Sequence, residues 1–245
     1  MMAAFDRLAE SYDAQWTLSP VGRLQRAAVW RNIDGLFQSG ARILDLGCGT
    51  GEDALWLMRA GVEVIAIDAS PEMVRAARRR GVNAQWLPFA NLHELGGRFD
   101  GAISDFGPLN CTQFPEFLRI PLARLIRPGG HLVLCVMGRY CHWETLAYLL
   151  AGRPHKAIRR WSGHATSATL GMEVYYHSVR HLQRALAPEF DLERLAGIGI
   201  AVPPSFIDWI PDGPLRCLAS IDGAIEHLPL LRGLSDHRLL IFTRV

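Results

Sequence analysis

The stretch "ILDLGCGTGEDALWLM", Ile43 to Met58, sets three glycines within five residues, between an apolar run and a helix-like run. Gly47, Gly49 and Gly51 therefore form a turn between a strand and the start of a helix. Backbone without Cβ atoms lets a ligand approach closely, and the first N–H groups of a helix have no intrahelical partners. The next apolar run, "VEVIAID", ends in Asp68, about twenty residues past the turn, where a carboxylate can accept hydrogen bonds from both hydroxyls of a ribose. Together the turn and the acid predict a nucleoside ligand at the carboxyl ends of the first two strands.

Two details bear on which nucleoside. Asp45 lies inside the end of the first strand, where a carboxylate would repel a pyrophosphate but could organise a cationic amino-acid group. The glycines fall as G-x-G-x-G, without the third glycine that lets a dinucleotide-binding helix pack closely on its strand. A sulfonium nucleoside fits this pattern better than NAD, and a nicotinamide-dependent oxidoreductase stands as the competing reading.

Around this unit, short apolar runs alternate with helix-like segments from Arg42 to about Val136, the rhythm of a parallel sheet with crossover helices. Strands are expected at Arg42 to Leu46, Val62 to Ile67, Ala84 to Leu87, Gly101 to Ser104 and His131 to Met137. Helices are expected at Glu52 to Arg59, Pro71 to Arg79 and Phe114 to Ile126, with "RPGG" (Arg127 to Gly130) as the turn into the fifth strand. The 245 residues read as one domain in four parts. Residues 1–40 form a helical lid, with Phe5, Leu8 and Tyr12 on one face; 41–137 form the ligand-binding core; 138–178 form an insertion beside the site; and 179–245 complete the sheet. In the last part a helix from Val179 to Leu186, a strand from Leu192 to Ala201, a helix from Leu215 to His227 and a closing strand from Arg238 to Thr243 are expected.

Composition narrows the function classes. The chain is 49% hydrophobic and 20% charged with a formal charge of +2, too balanced to suggest a nucleic-acid partner. Five cysteines without a C-x-x-C pair, and nine histidines with no H-x-x-x-H or mixed Cys/His spacing worth a metal assignment, give no metal site and no disulfide framework, and a reduced cytoplasmic setting is expected. No apolar stretch has transmembrane length. The basic, aromatic "HKAIRRW" leaves peripheral membrane contact open, and the chain is expected to be a monomer or homodimer.

As a set, "ILDLGCGTG", "VIAIDASPEMV", "FDGAISDFGPLN" and "LIRPGGHLVLCV" resemble the motif series of class I S-adenosylmethionine-dependent methyltransferases. The opening "FDRLAESYDA" is similar to their small-molecule branch, which includes the quinone methyltransferases, and "SDHRLLIFTRV" to the family's last antiparallel strand. The resemblance implies a Rossmann-like, doubly wound α/β fold with a mostly parallel seven-stranded sheet. It also implies S-adenosyl-L-methionine as cofactor, with S-adenosyl-L-homocysteine as product. Carried over by motif, Gly47, Cys48 and Gly49 face the methionine portion, with Asp45 near its amino group. Asp68 holds the ribose, Ala69 and Met73 flank the adenine, and Ser104, Asp105 and Phe106 line the way to the acceptor. Tyr12 closes over the cofactor. Many relatives carry an acid after the third strand; this chain reads "WLPFANL", and Asn91 or backbone carbonyls stand in for it.

Methyl transfer to a hydroxyl or an acidic carbon needs a proton acceptor. The insertion offers His142 and Glu144 after the fifth strand and His177 on the run "MEVYYH", while Tyr12 is the candidate from the lid. Against these, His142 and Trp143 could simply begin a packed helix. The apolar, aromatic C-terminal half ("AVPPSFIDWIPDGPL") suggests an aromatic or lipophilic acceptor, methylated at O, N or C. A non-catalytic cofactor- or partner-binding protein is the remaining alternative.

Overall fold

The computed structural model describes residues 2–168 and 170–245, and side chains from residue 5 onward. Residue 1 of the expected lid and residue 169 of the insertion thus lie outside the described residues. Helices α1 (Met2–Tyr12) and α2 (Pro20–Ile33) are joined by one π-helical turn, Asp13–Thr17. Then follow β1 (Arg42–Leu46), α3 (Glu52–Arg59), β2 (Glu63–Asp68), α4 (Pro71–Arg79), β3 (Ala84–Trp86), β4 (Phe99–Ser104), α5 (Arg119–Leu125) and β5 (Ile126–Met137). The insertion holds α6 (His142–Leu150), α7 (Pro154–Ala157) and a hairpin of β6 (His164–Ser167) and β7 (Met172–Tyr175). The chain continues through α8 (Val179–Leu186), β8 (Phe190–Ile198), α9 (Asp212–Ile225) and β9 (His237–Arg244).

Seven strands form one sheet in the order β3-β2-β1-β4-β5-β9-β8. The first five are parallel, and β9 runs antiparallel between β5 and β8. Strand order reverses between β1 and β4, the crevice at which open α/β sheets bind ligands. Side-chain alternation gives each face its own core. Ile43, Ile103, Val133 and Ile241 pack under α2, α3 and α4. Leu44, Leu134, Leu240 and Phe242 pack under α5 and α8. Asp45 shares the face of Ile43 and is buried there.

Ser70 accepts from the Met73 N–H at 3.2 Å, with Pro71 at the first helical position, a pairing that starts α4 without an orphan donor. The expected helix from Phe114 is shorter: Pro115–Leu118 is a 3-10 turn and α5 begins at Arg119. The "RPGG" segment is drawn into β5, whose register against β4 shifts between Phe99 and Gly101. That irregularity accommodates the extra residues as a bulge.

Candidate active site

A cavity of about 930 Å³ opens over the carboxyl ends of β1, β2 and β4. Its floor includes Gly47, Gly49, Asp68, Ala69 and Met73. Gly47 has φ +77°, and a Cβ on it would meet Pro108 Cγ at 2.4 Å, whereas a Cβ on Gly49 (φ +53°) would meet nothing within 4 Å. The two glycines thus differ in purpose: the first permits a close turn-to-turn contact, the second leaves bare surface facing open space.

The turn keeps its own donors occupied. Gly47 and Cys48 N–H groups donate to the Ile67 carbonyl at 2.8 and 3.0 Å. The Gly49 N–H donates to Asp68 Oδ2 at 2.8 Å. The turn therefore offers smooth surface to a ligand rather than free N–H groups, unlike a phosphate cradle. Asp68 also accepts from Ser70 N–H at 2.8 Å through Oδ1. Burial raises its pKa, and these amide bonds counter the shift.

Two further acids lie close to this floor: Asp105 lines the cavity, whereas Asp45 is buried and does not line it. Asp45 Oδ2 and both oxygens of Asp105 are buried without a hydrogen-bond partner, although the Cys135 thiol, a weak donor, lies beside Asp105. Burial pushes both carboxyls well above the usual carboxylate range, and nearby Asp53 adds to it while Arg26 opposes. Arg26 itself is buried in an ion pair with Asp53. Its guanidinium lies 4.7 Å from the Trp16 ring centroid and 5.1 Å from that of Phe106.

An aromatic row crosses the cavity. Tyr12 to Trp16 is 6.0 Å, Trp16 to Phe106 is 4.6 Å, and Phe106 meets the His237 ring edge-on at 5.1 Å. Phe106 holds φ +53°, a conformation that a bulky side chain adopts only when its surroundings enforce it. Trp16 sits in the π-helical turn, an irregularity frequent at functional sites. The lid is fastened by Ser70 Oγ donating to Asp6 at 2.5 Å and Thr50 Oγ donating to Asp13 at 2.6 Å. Burial pushes the Tyr12 hydroxyl up to about 12, with Arg26 opposing and Asp53 and Asp68 adding.

Beyond Phe106 the cavity is walled by the insertion. Glu144 is buried, with Oε1 bound by Arg159 at 2.6 Å and Oε2 by Arg160 at 2.7 Å. Arg160 also donates to Asp236 Oδ1 at 2.9 Å, and Asp236 Oδ2 lies 3.4 Å from His237 Nδ1. Burial alone would raise Asp236, but His237 and Arg160 hold it well below the usual carboxylate range.

Of the expected site residues, Tyr12, Gly47, Gly49, Asp68, Ala69, Met73, Asp105, Phe106 and Glu144 line this cavity. Others do not line it. Cys48 packs against the core, and Ser104 Oγ donates to the Leu46 carbonyl at 2.9 Å, tying β4 to β1. Asn91 bonds Glu94 at 2.5 Å on the exterior, while its neighbours Phe89 and Ala90 face the cavity. His142 turns its Nδ1 to the Leu234 carbonyl at 3.1 Å. His177 Nε2 meets the Thr112 carbonyl at 2.8 Å, buried between Tyr175 and His181. Both histidines thus spend a ring nitrogen on a backbone oxygen, and neither lines the cavity.

Residues 43–130 match a family model described as a methyltransferase domain. The demethylmenaquinone methyltransferase of Clavibacter sepedonicus is 34% identical over 140 residues, 54% of this chain and 56% of that protein. The ubiquinone biosynthesis O-methyltransferase of Xanthomonas oryzae pv. oryzae is 32% identical over 107 residues, 41% of this chain and 45% of that protein. The chain thus spans about half the length of both relatives. The S-adenosylmethionine-dependent methyltransferase of Mesorhizobium loti superposes with a TM-score of 0.63 at 20% identity, covering 90% of this chain and 100% of that one; at that identity the likeness is one of fold.

This chain resembles the class I S-adenosylmethionine-dependent methyltransferases.

Within this methyltransferase fold, reading the sequence missed Trp16, Arg26, Arg160 and the pair Asp236–His237. Only the last carried a local signal, an acid and a histidine side by side at the mouth of an apolar strand. The others are brought in by helices whose spacing looks like ordinary packing. Among the described residues no helix is long and apolar enough to cross a membrane.

Proposed function

We propose that the protein transfers a methyl group from S-adenosyl-L-methionine to a small aromatic or lipophilic acceptor, leaving S-adenosyl-L-homocysteine. The observation that carries this reading is Asp105, a buried carboxylate with both oxygens unpartnered in the same cavity as Asp68 and the glycine turn. A cation arriving beside this orphaned acid favours its ionised form and is held by it, which a diphosphate would not do. Asp68 keeps spare lone pairs for ribose hydroxyls, and Ala69 and Met73, with Phe89 and Ala90, flank the base. Gly47, Gly49 and the Cys48 backbone run along the amino-acid tail, towards Asp45 and Asp105. Tyr12 and Trp16 cover the ligand from the lid.

A bound sulfonium supplies a methyl carbon already activated for displacement. The protein's part is alignment and exclusion of water, which the aromatic row and the lid provide. Residues 1–40 serve as lid, 41–137 as cofactor-binding core, 138–178 as acceptor wall and 179–245 as completion of the sheet, in one domain. We place the protein in the cytoplasm, as a monomer or homodimer acting in biosynthesis. Calorimetry with S-adenosyl-L-homocysteine and with NADH tests the reading. Binding of the first supports it; binding of NADH alone replaces it with an oxidoreductase. Cofactor binding without methylation across a broad acceptor panel would make the protein a non-catalytic binder.

A further inference from the structure

The cavity needs a proton acceptor if its substrate is a hydroxyl, and most titratable groups that line it are disqualified by their surroundings. Glu144 has both oxygens engaged by Arg159 and Arg160. Tyr12 is pushed up to about 12 and Cys111 to about 11, chiefly by burial. Asp105 is buried beside Cys135 and within reach of the Arg26 charge, and the proposed reading assigns it to the cofactor's charge. Asp236 is bound by Arg160 through Oδ1 and by Gln25 at 3.3 Å through Oδ2.

His237 differs. It is the first residue of β9, paired with Met137 at the end of β5. Because β9 is antiparallel, its beginning reaches the cavity edge that the parallel strands reach with their ends. Nδ1 is buried 3.4 Å from Asp236 Oδ2, an ion-pair distance without a formed hydrogen bond, so that the carboxylate acts on the ring through charge and proximity. Nε2, on the ring's opposite edge, has no hydrogen-bond partner among the described residues and is left accessible, and the residue lines the cavity. The Phe106 ring holds the imidazole edge-on at 5.1 Å. A histidine with one nitrogen beside a fixed carboxylate and the other open to a cavity is the arrangement of a general base.

We infer that His237 is the catalytic base for an aromatic hydroxyl acceptor, with Asp236 and Arg160 as its positioning residues. This rests on the proposed methyl transfer. The acceptor's O–H bond breaks and its proton goes to His237 Nε2. The oxygen lone pair forms the new O–CH3 bond, and the electrons of the methyl–sulfur bond leave with the sulfur of the methylsulfonium donor as a neutral thioether. The imidazolium so formed lies next to Asp236, which Arg160 and the buried Glu144 keep in place. The acceptor class follows from the walls: Phe114, Phe117 and Phe206 line the cavity and are respectively 62%, 45% and 47% exposed. They offer flat apolar faces to a ring.

The test compares the wild type with His237→Gln and Asp236→Asn on two probes at mildly alkaline pH, para-cresol, which is protonated there, and para-nitrophenol, which is largely ionised there. Calorimetry with S-adenosyl-L-homocysteine should give near-wild-type affinity in both variants, showing that they fold. His237→Gln should lower para-cresol methylation by about 100-fold or more, and para-nitrophenol methylation far less. Asp236→Asn should show the same split with a smaller loss. As a readout independent of turnover, para-nitrophenol added at mildly acidic pH to the S-adenosyl-L-homocysteine complex should bind as the yellow phenolate in the wild type and not in His237→Gln. Equal losses on both phenols, or no methylation of either phenol by a wild type that binds the cofactor product, would overturn the inference and leave the cofactor reading intact. Failure of the wild type to bind the product would overturn the reading beneath it. If His237→Gln does not fold, Asp236→Asn decides by the same split.

Discussion

Gly49 donates its N–H to Asp68 Oδ2 at 2.8 Å. The acid proposed to hold the ligand's sugar is therefore also the clasp of the glycine turn, since its other oxygen takes the Ser70 N–H. Structure and binding are joined at one carboxylate.

Asp68→Ala should consequently do two things. It orphans two buried N–H donors, a loss of about 1–3 kcal/mol in stability by urea titration. It should also weaken binding of S-adenosyl-L-homocysteine by about 1–3 kcal/mol, from the unpaired ribose hydroxyls. Unchanged affinity by calorimetry would remove Asp68 from the binding site.

The raised pKa values of Asp45 and Asp105 give cofactor binding a pH dependence. A cation arriving beside a carboxyl held protonated by burial favours its ionised form, so binding releases protons. Calorimetry in buffers of differing ionisation enthalpy should show that release, and affinity should fall as pH is lowered. Proton uptake on binding would contradict the arrangement.

Phe106 at φ +53° predicts an inverted order of substitutions. Glycine adopts this conformation freely and alanine does not, so Phe106→Gly should be more stable than Phe106→Ala by about 1 kcal/mol. Both lose the ring that separates Trp16 from His237 and should lose methylation. Thermal unfolding of the pair gives the answer; an alanine variant more stable than the glycine variant would mean the backbone is relaxed there.

Arg160 bridges Glu144 and Asp236, all three nearly buried. Arg160→Met leaves Glu144 Oε2 and Asp236 Oδ1 buried without their cationic partner and should cost about 3–5 kcal/mol. The depressed pKa of Asp236 means that its stabilising contribution is fully present above the ordinary carboxylate value of about 3.9. It is lost as pH falls below that toward the folded-state value. Asp236→Asn should therefore flatten the acid limb of the stability profile; an unaltered limb would show that this carboxylate carries no such linkage.

His142→Ala should leave methylation unchanged, because its ring nitrogen faces the Leu234 carbonyl rather than the cavity. A large fall in rate with intact cofactor binding would restore it as a catalytic candidate.

The sheet was legible where local chemistry is strong. The strand at Arg42–Leu46 and the helices at Glu52–Arg59 and Pro71–Arg79 have the bounds expected from the glycine turn and the Ser70–Pro71 cap. The cavity's floor follows from the same motifs. Its acceptor side was not legible, because His142 and Glu144 were weighed by their nearness in sequence to a strand end and His177 by its place on the run "MEVYYH". What decides their orientation is tertiary: two arginines close over Glu144, and backbone carbonyls take both histidines. His237 could not be singled out until an antiparallel partner brought its end of β9 beside Met137.

Strand β8 pairs in the sheet with β9 alone, although it precedes β9 by nearly forty residues. It has no edge to dock on until β9 has joined β5. Closing the sheet and delivering Asp236 and His237 are then a single event of long loop closure. A nascent chain that has not yet emerged through residue 244 would carry an open edge along β5 and an unfinished pocket at once. Competence for chemistry and protection from edge-to-edge association are acquired together, at the end of folding.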